Sequence, residues 1–270
     1  MLLLPVPALW VALAFGLGLL GARPLNEAIH QFGLWTLRLL FIALAVTPLR
    51  QMLRWPQLTL VRRRIGVAAF CYAAAHLALY AASQAFDLTK VASEIVLRIY
   101  LSIGFVALLG LAALAATSTD AMVRRLGPRR WQRLHRLAYP IAVLAAVHFF
   151  MQSKLDLWQP TMMAGFLLWL LGWRALSRLL GARGGLSPLW VAGLGAAAAL
   201  ATALGETAWF WWLSGADPRR ILAVEFTLAT GVRPAAIVLL AAIAMAGLAL
   251  GRAMRRGAGT RGTRPARRPA

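Results

Sequence analysis

What most constrains this chain is a series of eight apolar segments with arginine-rich stretches between them. They lie at roughly 4–21, 31–47, 65–83, 99–116, 137–152, 160–176, 188–213 and 233–251. A helix needs about 20 mostly apolar residues to cross the hydrocarbon core of a bilayer. The composition points the same way: 61% of the 270 residues are hydrophobic and the mean hydropathy is +0.70, whereas soluble domains are nearer half apolar. The expected fold class is an all-α membrane protein. The first segment has no basic n-region and no clear cleavage site, so it reads as a retained helix rather than a signal peptide. Pro140 lies in the fifth, where neighbouring helices can satisfy the freed backbone groups.

A formal charge of +21 raises the question of nucleic acid. The arginines flank the apolar runs instead of interleaving with a polar surface, so the charge reads as a topology signal. The stretches 48–64, 117–136 and 174–187 and the tail 252–270 carry 5, 6, 3 and 7 Lys+Arg residues of the chain's 29. The opposite loops and their edges hold Arg23, Lys90, Arg98, Lys154, Arg219, Arg220 and Arg233, and Arg38 lies inside the second segment. The positive-inside rule then puts both termini in the cytoplasm. Trp209, Trp211 and Trp212 fall at the outer end of the seventh segment, where an interfacial aromatic belt belongs. The tail RRGAGTRGTRPARRPA is expected to be disordered and drawn to anionic lipid.

One cysteine, Cys71, excludes an internal disulfide. There is no P-loop, no Gly-rich dinucleotide fingerprint and no cysteine cluster with metal spacing. NAD(P)H therefore has no fingerprint to bind here.

The polar residues that stand out are histidines. His76 lies twelve residues after Arg64, and His148 twelve after Arg136. Both are therefore about 18 Å beyond the last inner basic residue, on helices running the same way. Two imidazoles at equal depth can clamp a flat cofactor, and haem b with an axial histidine on each face fits that demand. No haem-attachment motif occurs, so such a haem is non-covalent. Other readings of an intramembrane histidine stay open: a hydrogen bond to a neighbour, a proton relay or a transporter site. Zinc lacks a third ligand at that depth. Transporters often carry paired repeats, and none is visible here.

His135 lies at the inner boundary, thirteen residues before His148, which is about 140° away around an ideal helix. The Tyr139-Pro140 step could change that angle. Fourteen residues before His76, on the same helix face, stands Arg62. Arginine does not readily ligate iron but pairs well with a propionate or a phosphate. Either His135 ligates a second haem, or His135 and Arg62 together hold an anionic group.

The texts TPLRQML, RRRIGVAAFCYAAAHLALY, LAALAATSTDAMVRRLGPRRWQRLHRLAY and AVHFFMQSK resemble the MsrQ family, formerly YedZ, over roughly residues 25–180. That family belongs to the ferric-reductase-like transmembrane haem proteins. The resemblance implies a membrane subunit that passes electrons to a periplasmic molybdenum-containing methionine sulfoxide reductase, MsrP. The donors would be the quinone pool or a cytosolic flavin reductase. It also implies haem b, FMN and the bacterial inner membrane. His76, His135 and His148 match the family's three core histidines, and Arg62 matches an arginine of the family. His30, in EAIHQFG, matches as well; it reads either as an interfacial residue or as a contact with the outer haem, a quinone or the partner.

The resemblance further implies a six-helix core over residues 1–180. GARGGLSPLW then reads as a linker to a two-helix extension, 181–251, whose one buried acid candidate is Glu206, followed by the tail 252–270. A ferric or cupric reductase of the same superfamily is the redox alternative. Those enzymes usually carry a cytosolic flavin and NADPH domain, which is not recognisable here.

Overall fold

The computed structural model of the chain describes residues 3–153, 156–182, 185–225, 227 and 231–261, and every regular element among them is helical. Lys154 and positions 183–184 of the linker lie outside the described residues. Six segments are long and apolar enough to cross a membrane: Pro24–Leu53, Leu58–Ser83, Ile99–Ala116, Asp120–Gln152, Pro188–Ser214 and Pro234–Arg252.

Two of the eight expected spans are not among these. The first apolar run forms only the 11-residue helix α1 (Val6–Gly16), which is about 16 Å long. Gly18 and Gly21 follow with φ of +69° and +75°, a left-handed backbone that ends the helix. The other is Trp158–Leu179, a 22-residue helix that carries Gln159, Thr161, Arg174 and Arg178.

The chain packs as two compact units, Met1–Thr47 with Pro56–Pro160, and Pro48–Trp55 with Thr161–Ala270. The first division falls inside α2 (Pro24–Leu53), at Pro48, which has no N–H to donate to the helix ladder. The second falls at Pro160, whereas the sequence reading sets its boundary near 180.

In the first unit, α3 (Leu58–Ser83) ends in a tight turn with Ala85 and Phe86 at positive φ. A short amphipathic helix, α4 (Leu88–Leu97), follows. Asp87 caps it by accepting a hydrogen bond from the Lys90 amide at 2.9 Å. α5 (Ile99–Ala116) is apolar beyond Ser102 and packs on α7 (Ala138–Gln152) through Gly110, where a Cβ would stand 2.7 Å from the Ile141 side chain.

The basic stretch between α5 and α7 is helical rather than a loop. It forms α6 (Asp120–Leu134), capped by Thr119 and kinked at Gly127 (φ 72°) just before Pro128. A single 3₁₀ turn, His135–Leu137, joins it to α7. Pro140 thus sits in the first turn of α7, where its missing N–H breaks no helical hydrogen bond.

In the second unit, α8 (Trp158–Leu179), α9 (Pro188–Ser214) and α11 (Pro234–Arg261) approach closely through small residues. A Cβ on Gly165 would clash with Thr202 and Val238, one on Gly172 with Leu194, and one on Gly195 with Ala242. Membrane helices pack in this way because lipid offers no hydrophobic drive, and close backbone approach supplies van der Waals contact instead. Trp169, Ala198, Ala199, Val238 and Ala242 form the core. Trp173 donates to Gln51 at 3.2 Å, and Arg252 donates to the Met52 carbonyl. The short helix α10 (Pro218–Glu225) precedes α11. The stretch expected to be a disordered tail from 252 is helical as far as Arg261, and positions 262–270 lie outside the described residues.

Candidate functional site

His76 on α3 and His148 on α7 face one another, with ring centres 6.4 Å apart and planes at 84°. The same device holds each ring. Nδ1 of His76 donates to the Ile29 carbonyl on α2 at 2.7 Å, and Nδ1 of His148 donates to the Tyr100 carbonyl on α5 at 2.7 Å. A proton on Nδ1 leaves the lone pair on Nε2, and a backbone acceptor in this position is what fixes the tautomer of a metal-bound histidine.

Four residues beyond each carbonyl stands a glycine. A Cβ on Gly33 would meet Nδ1 and Cε1 of His76 at 3.0 and 3.1 Å. A Cβ on Gly104 would meet the same atoms of His148 at 2.7 and 2.8 Å. Each imidazole therefore lies on a patch of bare helix backbone. The carbonyl and the missing side chain occupy one face because positions i and i+4 stack on a helix.

The spacing suits a metal between the rings. Metal–imidazole bonds are about 2.0–2.1 Å and the ring centre lies about 1 Å behind the nitrogen, so two such ligands put their ring centres about 6 Å apart. The observed 6.4 Å agrees. Neither Nε2 has a hydrogen-bond partner among the described residues. The pair thus fits a bis-histidine haem. Among the described residues no group of three or more His, Cys, Asp or Glu converges as a metal cage would require.

His30 is exposed on α2, next to Ile29, with its ring centre 6.0 Å from that of Phe149. The residue that follows His148 therefore lies against His30.

His135 occupies the 3₁₀ turn rather than the helix proper, so its orientation relative to His148 is set by the turn and not by ideal α geometry. Its ring stacks on Trp131 at 3.8 Å and 24°. Its Nε2 lies 3.2 Å from the Thr117 hydroxyl, which itself donates to the Ala113 carbonyl at 2.8 Å. The imidazole is therefore the donor to Thr117. Trp131 donates to the Thr117 carbonyl at 2.8 Å, which completes a lock between the end of α5 and α6. Arg62 is half-buried on α3, and together with Arg63 it interacts electrostatically with His135. Beside them Arg63, Arg64, Val67, Ser118, Thr119 and Asp120 line a cleft of about 460 Å³, and Arg63 pairs with Asp120 at 2.6 Å.

Of the residues expected from the sequence, the structure brings His76 and His148 together and sets Arg62 near His135. The sequence reading missed Gly33, Gly104, Thr117 and Trp131. The glycines did leave a signal: Gly33 precedes His76 by 43 residues and Gly104 precedes His148 by 44.

A bundle of apolar helices with two half-buried, carbonyl-oriented histidines defines a class of membrane redox protein. The profile described as "Ferric reductase like transmembrane component" matches residues 32–146, which contain His76 and His135 and stop just short of His148. Three similar relatives bear one name, "Protein-methionine-sulfoxide reductase heme-binding subunit MsrQ". That of Xanthomonas campestris pv. campestris (strain 8004) is 47% identical over 174 residues, covering 63% of this chain and 78% of the relative. That of Xanthomonas oryzae pv. oryzae (strain MAFF 311018) is 45% identical with the same coverage. That of Rhodospirillum rubrum is 41% identical over 184 residues, covering 68% of this chain and 88% of the relative. The chain belongs to the MsrQ family. No solved structure matches it.

Proposed function

We propose that the chain is a transmembrane haem b electron carrier that serves a periplasmic methionine sulfoxide reductase of the MsrP type, which contains molybdenum. The observation that carries this reading is the pair His76 and His148, 6.4 Å apart with both Nδ1 atoms on backbone carbonyls. The name shared by the relatives, a heme-binding subunit of a methionine sulfoxide reductase, supports it.

His76 and His148 supply the axial nitrogens, and Ile29 and Tyr100 orient them through their carbonyls. Gly33 and Gly104 let the rings approach the helices. When bound, the haem supplies a one-electron redox couple. The carbonyl bonds add electron density to each imidazole and hold its plane, which tunes that couple. Methionine sulfoxide is reduced on the partner.

At the inner end, Arg62 and His135 are proposed to hold an anionic group, either a haem propionate or the phosphate of FMN. Arg62 supplies a permanent charge and a planar pair of donors. Among the described residues the Nδ1 of His135 has no hydrogen bond, and an anion there favours its protonation, which makes it a donor as well. The donor side is proposed to be the cytoplasmic face of the bacterial inner membrane, with quinone or a cytosolic flavin reductase as the source and both termini on that face. The extension after residue 180 stands apart from this core function.

An optical spectrum of the purified chain tests the reading first, since a low-spin bis-histidine haem b spectrum is expected. The chain, reduced chemically and mixed with the periplasmic reductase, should then reoxidise only when methionine sulfoxide is added. Reduction of methionine sulfoxide by the chain alone would overturn the division of labour.

A further inference from the structure

The second unit carries a polar cluster that the redox reading does not use. Arg233, at the start of α11, reaches two acids at once. Its Nη2 donates to Oε1 of Glu206 on α9 and, at 3.1 Å, to Oε1 of Glu225 at the end of α10; its Nε donates to that same Oε1 at 3.3 Å. Glu206 and Glu225 are 4% and 5% exposed. Their remaining oxygens, Oε2 in both cases, are buried and have no hydrogen-bond partner.

Counting charges identifies the problem. Two carboxylates and one guanidinium leave one uncompensated negative charge on two buried acids, and such a charge is strongly disfavoured. The position of Glu225 makes matters worse. It is the last residue of α10, the end at which the helix dipole is negative. Among the described residues no further cation pairs with either acid. On α10, Arg219 and Arg220 are exposed at the opposite end with Asp217, which accepts from the Arg219 amide. On α11, Arg252 is bound to the Met52 carbonyl. On α8, Arg174 donates to the Leu170 carbonyl. Glu206 is the sole ionisable group on α9.

One proton resolves both the charge and the orphaned oxygens. Placed on either Oε2, it gives that oxygen a donor and the other carboxylate a partner, and the trio becomes neutral. Arg233 Nη2 already draws the two carboxyl groups together by bonding Oε1 of both. Paired carboxyls that share one proton are a recurrent solution where two acids cannot both ionise.

We propose that Glu206, Glu225 and Arg233 form a proton-binding site in the C-terminal helices, in which the two carboxyl groups hold one proton between them. The ligand is a proton, and the extension thereby has a chemical capacity beyond packing.

Infrared spectroscopy of the full chain in lipid nanodiscs tests this. At neutral pH in potassium buffer, the wild type should show a carboxylic-acid carbonyl band that shifts in heavy water. Glu206→Gln and Glu225→Gln should each abolish it, because the remaining acid ionises against Arg233. Arg233→Gln should enlarge it, because both acids then protonate. A wild type without the band, or a band that survives in both glutamine variants, would overturn the proposal. A band that vanishes when sodium replaces potassium would also overturn it, in favour of a metal-cation site. The two glutamine variants keep their shape and decide the matter even if Arg233→Gln fails to fold.

Discussion

Gly104 lies against the ring of His148 so closely that a Cβ there would stand 2.7 Å from Nδ1. Real side chains do not tolerate that distance, so Gly104→Ala must push the imidazole off the Tyr100 carbonyl. Gly33→Ala faces 3.0 Å at His76 and leaves a little more room. Losing an orienting contact of this kind typically costs about 10–100-fold in metal affinity. Haem retained per mole of protein after detergent washing should fall in both variants, and further in Gly104→Ala. Equal, full retention would mean the rings do not rest on these glycines when haem is bound.

His76→Ala and His148→Ala should each remove the low-spin haem absorption while membrane insertion and yield stay near wild type. Optical and electron paramagnetic resonance spectra of washed membranes check this. Low-spin haem persisting in both variants would remove the axial assignment.

If Arg62 and His135 mark the proposed cytoplasmic entry, His135→Ala and Arg62→Ala should slow electron entry from that side but leave the spectrum of the His76–His148 site unchanged. Arg62→Lys should restore the rate only in part, because an ammonium lacks the bidentate fork. Stopped-flow reduction by a cytosolic flavin donor reads the rate. A haem-to-protein ratio that falls from two to one in His135→Ala would assign His135 to a second haem instead.

Truncation after Gly185 should leave haem content near normal, because His76, His148, Gly33 and Gly104 all belong to the first compact unit. It should nevertheless lower the thermal midpoint of the remainder. α8 would lose the partners that its Gly165, Gly172 and Trp169 pack against. Calorimetry and a haem assay on the same sample separate the two effects. Loss of haem would make the extension part of the core.

The apolar runs and the arginine pattern made the helical class legible, because length and charge are what a bilayer selects. The first run failed as a span because its length was counted through Gly18 and Gly21, whose left-handed backbone is a local event that hydropathy does not register. His76 and His148 were legible through equal depth, a one-dimensional measurement that residue counting can make. Their carbonyl partners were not, since every residue has a carbonyl and only helix packing decides which one meets an imidazole. His135 was placed on an ideal helix when it sits in a 3₁₀ turn, and its stacking on Trp131 depends on that turn. Glu206 was singled out as buried, but its partners Glu225 and Arg233 lie 19 and 27 residues away, too far for helical spacing to connect them.

Both imidazoles donate their Nδ1 hydrogen bonds to main-chain oxygens, and this sets how the site can vary. No side-chain replacement at position 29 or 100 deletes a carbonyl. The acceptors are therefore invisible to alanine scanning and indifferent to sequence drift at those positions. The strength of each bond can change only when α2 slides along α3, or α5 along α7. Sequence changes that adjust the redox site should accumulate at helix contacts such as Gly110–Ile141 rather than at the residues that touch the histidines.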